Sequence, residues 1–248
     1  MTRLQGQVAV VTGASGGIGA AICRALAGEG ATVIVTYNRD RTQACALAES
    51  LESGPHLVVQ AAVDDTDSLI KLALTVGAHH GRVDLLVNCA GVTRYVAHDD
   101  LDGLDDETFD RIFRVNVRGA YATIRALRNL LGASDNALVV NISSIAGSTG
   151  NGSNVAYCAS KAALDSITRS LAVALAPAVR MVSVAPGLVE GRYSRALDPQ
   201  WSERQRVATP LQRLAVADDV ARAVVALATE LTFTTGCVVP VDGGRALA

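Results

Sequence analysis

Residues 7–19 read Gln7-Val-Ala-Val-Val-Thr-Gly-Ala-Ser-Gly-Gly-Ile-Gly19. A β-branched run passes through a glycine-rich turn into a segment whose apolar residues recur at helical spacing. Glycine lets a backbone turn sharply and come close to a pyrophosphate, and a helix N-terminus offers free N–H groups and partial positive charge. Between a strand and a helix, near the start of the chain, such a turn points to nucleotide binding more than to a structural bend. The loop contains no Lys, so it is not the phosphate loop of the nucleoside triphosphatases.

The same alternation continues outward. Strand candidates are Val8–Thr12, Thr32–Tyr37, Leu57–Val63, Val83–Asn88, Ala137–Ser143, Val179–Val184 and Cys237–Val241. Helical periodicity occupies 17–29, 41–53, 66–79, 105–131, 153–176 and 217–230. Several strands are apolar throughout, so helices should cover both faces of a parallel, doubly wound α/β sheet. No linker, repeat or low-complexity tract divides the chain, which predicts a single domain over 1–248. The least regular stretch, Gly187 to Pro210, leaves the edge where open α/β sheets bind ligands, and predicts a substrate lid at about 188–212.

Composition narrows the class. Of 248 residues, 50% are apolar and 19% charged, enough for a large core. A net charge of -2 argues against nucleic acid as the main partner, which would need a concentrated positive field. The five cysteines are odd in number and lack a C-x-x-C pair, as expected of free thiols in a reducing compartment. The histidines show no metal-ligand spacing. Pro177, Arg180 and Pro186 break the most apolar stretch, 171–189, and the N-terminus lacks a signal-peptide core. A cytoplasmic chain without metal or membrane span is expected.

The second strand bears on the nucleotide. A carboxylate at its end suits the ribose 2′-hydroxyl of NAD, whereas a nearby Arg suits the 2′-phosphate of NADP. The strand ends Thr36-Tyr37-Asn38-Arg39, with no acid until Asp40 and Arg41 after it. This favours NADP (NADPH) over NAD.

Tyr157-Cys-Ala-Ser-Lys161 lies early in a helical segment, and residues four apart share a helix face. Free tyrosine has a pKa of about 10. A cation within about 4–6 Å favours the phenolate, giving a proton donor and acceptor near neutrality. Lys plus Arg total 22; two are Lys71 and Lys161, leaving 20 Arg, so a Lys four residues after a Tyr stands out. Alone, such a pair is more often a surface pair. Asn141-Ile-Ser-Ser144 ends the fifth strand and brings Ser144 to the same sheet edge, within reach of a carbonyl oxygen. A G-x-S-x-G elbow is missing, against a hydrolase.

In combination, Thr12-Gly-x-x-x-Gly-Ile-Gly19, Asn88-Cys-Ala-Gly91, Asn116, Ser144, Tyr157-x-x-x-Lys161 and Pro186-Gly187 resemble the single-domain short-chain dehydrogenase/reductases over essentially the whole chain. The resemblance implies a seven-stranded Rossmann-type sheet and a catalytic set of Asn116, Ser144, Tyr157 and Lys161. In that set Asn116 holds a relay water, Ser144 orients the carbonyl, Tyr157 transfers the proton and Lys161 binds the nicotinamide ribose. Cofactor contacts are implied from Gly13, Ser15, Gly17, Ile18, Gly19, Asn38, Arg39, Val63, Asn88, Ala90, Gly91, Tyr157, Lys161, Pro186, Gly187 and Val189.

Within the family, Asn141 to Gly147 and Gly150-Asn-Gly152 look most like the 3-oxoacyl-(acyl carrier protein) reductases of fatty acid biosynthesis. Those enzymes use the residue matching Asn154 in the substrate pocket beside Ser144 and Tyr157. A ketone reductase acting on a 3-oxoacyl thioester is therefore expected, with an NAD(P)-dependent sugar, polyol or steroid dehydrogenase as the alternative and a non-catalytic nucleotide sensor as the remote one. A homotetramer is implied, and an acyl carrier protein is a candidate partner.

The chain departs from the pattern at Gly16, where many NADPH users carry Arg. It departs also at Ala62, an adenine-contact position that leaves Val63 or the Asp64 backbone to serve, and at Cys89 and Gly191. Val173 replaces a basic carrier-docking residue. Arg192, Arg195, Arg204, Arg206 and Arg213 outnumber Asp198 and Glu203 in the lid, offering positive charge at the pocket mouth or merely surface ion pairs; Tyr193 and Trp201 offer an apolar wall or a packing anchor. Arg111, Arg114, Arg118, Arg125 and Arg128 share an arc of about 100° opposite Asn116, facing solvent, a subunit interface or an acidic carrier.

Overall fold

The structure, a computed structural model, describes residues 2–52, 54–191 and 199–247. Its β-branched runs form β1 (Val8–Thr12), β2 (Thr32–Tyr37), β3 (Leu57–Gln60), β4 (Leu85–Asn88), β5 (Ala137–Ile142), β6 (Val179–Pro186) and β7 (Val238–Val241). They pair in parallel as a seven-stranded sheet in the order β3-β2-β1-β4-β5-β6-β7. This is the doubly wound Rossmann-type sheet expected. Val10 and Val11 point to opposite faces and both are fully buried, because helices cover both sides.

On one face α1 (Gly17–Gly28) packs with the helix at Ala217–Thr229 over Val11, Val33, Val87, Val140 and Val182. On the other, α3 (Thr66–His80), α5 (Ala120–Leu131) and α7 (Val155–Ala174) cover Val10, Ile34, Leu86, Val139 and Met181. Each fully buried Leu, Ile or Val contributes about 1.5–3 kcal/mol. Between these lie α2 (Arg41–Glu49), α4 (Asp106–Phe113) and the short α6 (Ala146–Thr149); α8 (Pro199–Val207) and α9 (Ala217–Thr229) follow β6. The chain winds from β1 to β3, then crosses to β4 on β1's other side. The carboxyl ends of β1 and β4 therefore flank the crevice in which such sheets bind ligands.

Several boundaries differ from the sequence expectation. β3 stops at Gln60 because β2, its only partner, ends at Tyr37; the chain then turns away, with Asp65 capping α3 through the N–H groups of Asp67 and Ser68. β4 starts at Leu85, β5 stops at Ile142 and β7 starts at Val238, whereas β6 runs on to Pro186 beside Val241. α2 ends at Glu49, before 53. The segment 105–131 is not one α-helix: a π-helical turn at Arg114–Gly119 separates α4 from α5. There Gly119 packs so closely that a Cβ would stand 2.8 Å from Val63 Cγ2. The stretch expected to be irregular contains α8.

Histidines 79 and 80 do end α3, and Gly81 terminates it with φ of 70°. All five cysteines are free thiols. Among the described residues no helix is long and apolar enough to cross a membrane.

Candidate active site

The glycine turn is built for backbone approach. Gly13 has φ of 64°, and a Cβ there would stand 2.8 Å from the Ala90 Cα. A Cβ on Gly19 would collide with the Gly13 carbonyl and stand 2.9 Å from Ala14 Cα. Among the described residues no side chain caps α1 at Gly16, which leaves its first N–H groups without a side-chain acceptor. Thr12 Oγ1 accepts from the N–H groups of Cys89 at 3.0 Å and Ala90 at 3.2 Å, pinning the β4 turn against β1. Asn88 Oδ1 is buried beside this turn with no partner among the described residues. The cradle fits a dinucleotide pyrophosphate. Gly19→Ala is expected to destabilise the fold by about 1–3 kcal/mol and abolish nucleotide binding, read by thermal unfolding with and without nucleotide.

At the end of β2, Asn38 and Arg39 are exposed. Gln60 Nε2 donates to the Asn38 carbonyl at 3.0 Å. Asp40 instead caps α2, accepting from the Gln43 N–H at 2.9 Å. Beyond β3, Val63 is buried against Gly119, and the Asp64 carbonyl accepts from Arg118 Nη2 at 2.8 Å. At the end of β6, the Pro186 carbonyl accepts from Ile145, Gly187 donates to Val241, and Val189 bridges to Ala215. Ser15, Gly17 and Ile18 lie on the turn and the first turn of α1.

The polar side chains meet at the same edge. Lys161 is buried on α7, and its Nζ donates to the Ile142 carbonyl at 2.8 Å and lies 5.6 Å from the centre of the Tyr157 ring. Burial pushes its pKa down to about 8, opposed by Cys89 and Asp165. The Cys89 thiol moves the other way, pushed up to about 11 by burial despite the neighbouring lysine. A Cβ on Gly91 would lie 3.4 Å from Asn116 Oδ1 and 3.8 Å from Lys161 Nζ, so both side chains border the space over Gly91.

Asn116 sits in the π turn. Its Oδ1 accepts from Val92 N–H at 2.8 Å, and its Nδ2 donates to the Val92 carbonyl at 3.0 Å and Ser160 Oγ at 3.1 Å. One Oδ1 lone pair is left for a further donor. Ser144 Oγ accepts from the Ala146 N–H at 3.2 Å, which leaves its own hydrogen to donate to a carbonyl. The structure thus brings Asn116, Lys161 and Tyr157 together by Gly91, and places Ser144 two residues beyond Ile142, whose carbonyl holds Lys161.

Asn154, expected beside Ser144 and Tyr157, lies at the start of α7. It is 1% exposed, and its amide bonds the Tyr157 N–H and the Arg94 carbonyl. The reason is its place as the N-cap of α7. Sequence reasoning missed Ser160, which accepts from Asn116 and donates to the Tyr157 carbonyl at 2.7 Å. It stood inside Tyr157-Cys-Ala-Ser-Lys161 all along.

Of the lid, Arg192, Tyr193, Arg195 and Asp198 lie outside the described residues. Trp201 is half-buried and Arg204 exposed. Arg206 pairs with Glu203 and Arg213 with Asp219, each at 2.6 Å, and Asp219 is shared with Arg222, also at 2.6 Å. Arg111, Arg114, Arg118, Arg125 and Arg128 are all exposed and Asn116 is buried, as the helical arc predicts. Among the described residues no His, Cys, Asp and Glu cluster suits a metal.

A family model described as enoyl-(acyl carrier protein) reductase matches residues 13–246. The chain is 40% identical over 242 residues to a Streptomyces violaceoruber protein named as ketoacyl reductase 2 of the granaticin polyketide synthase, covering 97% of this chain and 96% of that one. It is 33% identical to the 3-oxoacyl-(acyl carrier protein) reductase of Thermotoga maritima, covering 98% of each. Among solved structures, a Brucella melitensis short-chain dehydrogenase/reductase of the glucose/ribitol dehydrogenase type superposes with a TM-score of 0.91 at 29% identity, covering 98% of both chains.

Proposed function

The chain belongs to the short-chain dehydrogenase/reductase family, and from that premise we propose an NADPH-dependent reductase that converts a 3-oxoacyl thioester to the secondary alcohol. The observation that carries this reading is the convergence of Asn116, Ser144, Tyr157 and Lys161 beside a glycine turn too tight for side chains. When bound, the reduced nicotinamide supplies the hydride. The glycine turn and the N-terminus of α1 would hold its pyrophosphate, and Lys161 its ribose.

The chain's own groups do the rest. The Ser144 hydroxyl, held by the Ala146 N–H, donates to the substrate carbonyl oxygen and orients it. Tyr157 gives its phenolic proton to that oxygen, and the Lys161 ammonium beside it favours the phenolate left behind. Asn116 offers its remaining lone pair to a water that returns a proton through Lys161. Cys89, held as a neutral thiol, adds no competing negative charge to the site.

NADPH is favoured because the first carboxylate after β2, Asp40, is engaged as the cap of α2, while Arg39 stands exposed where a 2′-phosphate would sit. Arg39→Leu is expected to raise the KM for NADPH about tenfold and to leave that for NADH within about twofold. Equal changes for both cofactors would refute the assignment.

The relatives named as ketoacyl reductases support a 3-oxoacyl substrate. Val173, 82% exposed, stands in place of the basic residue relatives use for carrier docking, which weighs against an acyl carrier protein as the partner. The groove between α4, the π turn and α7, lined by Phe113, Val117, Tyr121 and Ile167, suits a subunit contact of a homotetramer. Residues 188–212 serve as the lid over the substrate in this reading. The test is a panel of 3-oxoacyl thioesters, sugars and aromatic ketones with both reduced cofactors. Fastest NADPH oxidation with an acetoacetyl thioester supports the assignment, and turnover confined to sugars or polyols overturns it.

A further inference from the structure

We propose that Asn154 is a positioning residue that sets Tyr157 at the sheet edge, by fastening the first turn of α7 to the chain segment 93–98. The inference rests on the reading of Tyr157 as the proton donor. It assigns Asn154 a role distinct from direct substrate contact.

Asn154 has extended backbone angles, φ -171° and ψ 171°, directly before the helix. Its Oδ1 accepts from the N–H of Tyr157 itself at 2.7 Å. A helix N-cap commonly serves the N–H three residues on, and here that residue carries the phenol. Movement of the cap therefore moves the Tyr157 backbone without an intervening joint. The same amide donates through Nδ2 to the Arg94 carbonyl at 2.6 Å and, more weakly, to Thr93 Oγ1 at 3.4 Å.

Further bonds repeat this connection. The Val96 N–H donates to the Ser153 carbonyl at 2.9 Å, the hydroxyls of Thr93 and Ser153 share a short hydrogen bond, and His98 Nε2 bonds the Gly152 carbonyl at 3.1 Å. Residues 152–154 are thus joined rung by rung to 93–98. The turn is also wedged from behind: a Cβ on Gly152 would lie 2.8 Å from Cys158 Sγ and 3.0 Å from the Ala146 Cβ, and Ala146 is the residue whose N–H holds Ser144. At its other end, 93–98 continues from Val92, whose N–H and carbonyl both bond Asn116. One seam therefore links the surroundings of Asn116, Ser144 and Tyr157.

The residue type follows from the chemistry. The position needs an acceptor for an N–H and a donor for a carbonyl on one short side chain. Asn carries both; Asp caps equally well but cannot donate, and Ala does neither. The two halves of the role can therefore be separated.

Asn154→Ala and Asn154→Asp are compared with wild type by ketone-reduction kinetics, nucleotide binding and amide hydrogen exchange of the unliganded protein. Asn154→Ala is expected to lower kcat about tenfold to a hundredfold, because misplacement of a reacting group by about 1 Å costs on that order. Nucleotide Kd and ketone KM should stay within about threefold, and exchange should quicken in both 155–158 and 93–98. Asn154→Asp should restore slow exchange at 155–158 and most of kcat while 93–98 still exchanges fast. A large rise in KM with wild-type kcat, or unchanged exchange in both segments, overturns the proposal in favour of substrate contact. Should Asn154→Ala not fold, Asn154→Asp decides alone: fast exchange confined to 93–98 supports the seam, and a wild-type pattern refutes it. Exchange is read without turnover, so a wild type inactive on every carbonyl would defeat the functional reading while the seam is still judged on its own.

Discussion

Tyr157→Phe is expected to lower kcat for ketone reduction by about 10²–10⁴-fold, the usual contribution of a positioned proton donor. The substitution removes one oxygen and keeps the ring beside Lys161 Nζ. The backbone of residue 157 is independently held by Asn154 and Ser160, so the fold should not change, and the nucleotide Kd should rise far less than kcat falls. Kinetics and nucleotide titration on the same preparation check this. Near wild-type turnover in Tyr157→Phe would place the proton source elsewhere.

Lys161 is the second large expectation, and it carries a pH dependence. Burial holds its pKa at about 8, below the ordinary ammonium value of 10.5. The charged form therefore predominates below pH of about 8 and is lost as pH rises through it. Because kcat/KM reports ionisations of the free enzyme, the profile for ketone reduction should fall on that side. Cys89, pushed up to about 11, remains a thiol through the change, while the charge of Asp165 opposes the effect of burial on the lysine. Lys161→Met should lower kcat/KM by about a hundredfold or more and remove the fall near this pH. A Lys161→Met profile that keeps the same fall would assign it to another group.

Much of this architecture is legible in the sequence for identifiable reasons. β1 and β2 are runs dominated by β-branched residues and ended by a glycine turn and by Asn38-Arg39, so their limits match the structure. Lys161 stands out because arginine is the cation nearly everywhere else in the chain. The π turn was not legible, since a single inserted residue is invisible to a periodicity of 3.6; its causes are tertiary, in Gly119 against Val63 and Asn116 against Val92. Asn154 misleads for a related reason. The resemblance offers it as a pocket residue, whereas only the fold shows that the carbonyl of Arg94, sixty residues earlier, takes up its amide. The arginines after β6 show the same limit: the count left ion pairs open, and only the fold shows Arg206 on Glu203 and Arg213 sharing Asp219 with Arg222.

The most direct test of the central claim, that Tyr157 and Lys161 serve carbonyl reduction at a nicotinamide, is a single-turnover transfer of deuterium. Wild-type protein is mixed with NADPH deuterated at its reactive carbon and a 3-oxoacyl thioester, and the product is weighed by mass spectrometry. The account predicts one deuterium on the former carbonyl carbon of the wild-type product and none from Tyr157→Phe in the same interval. With both hydrogens of that carbon replaced by deuterium, no deuterated product from the wild type across the whole ketone panel, or equal transfer by both proteins, would contradict it.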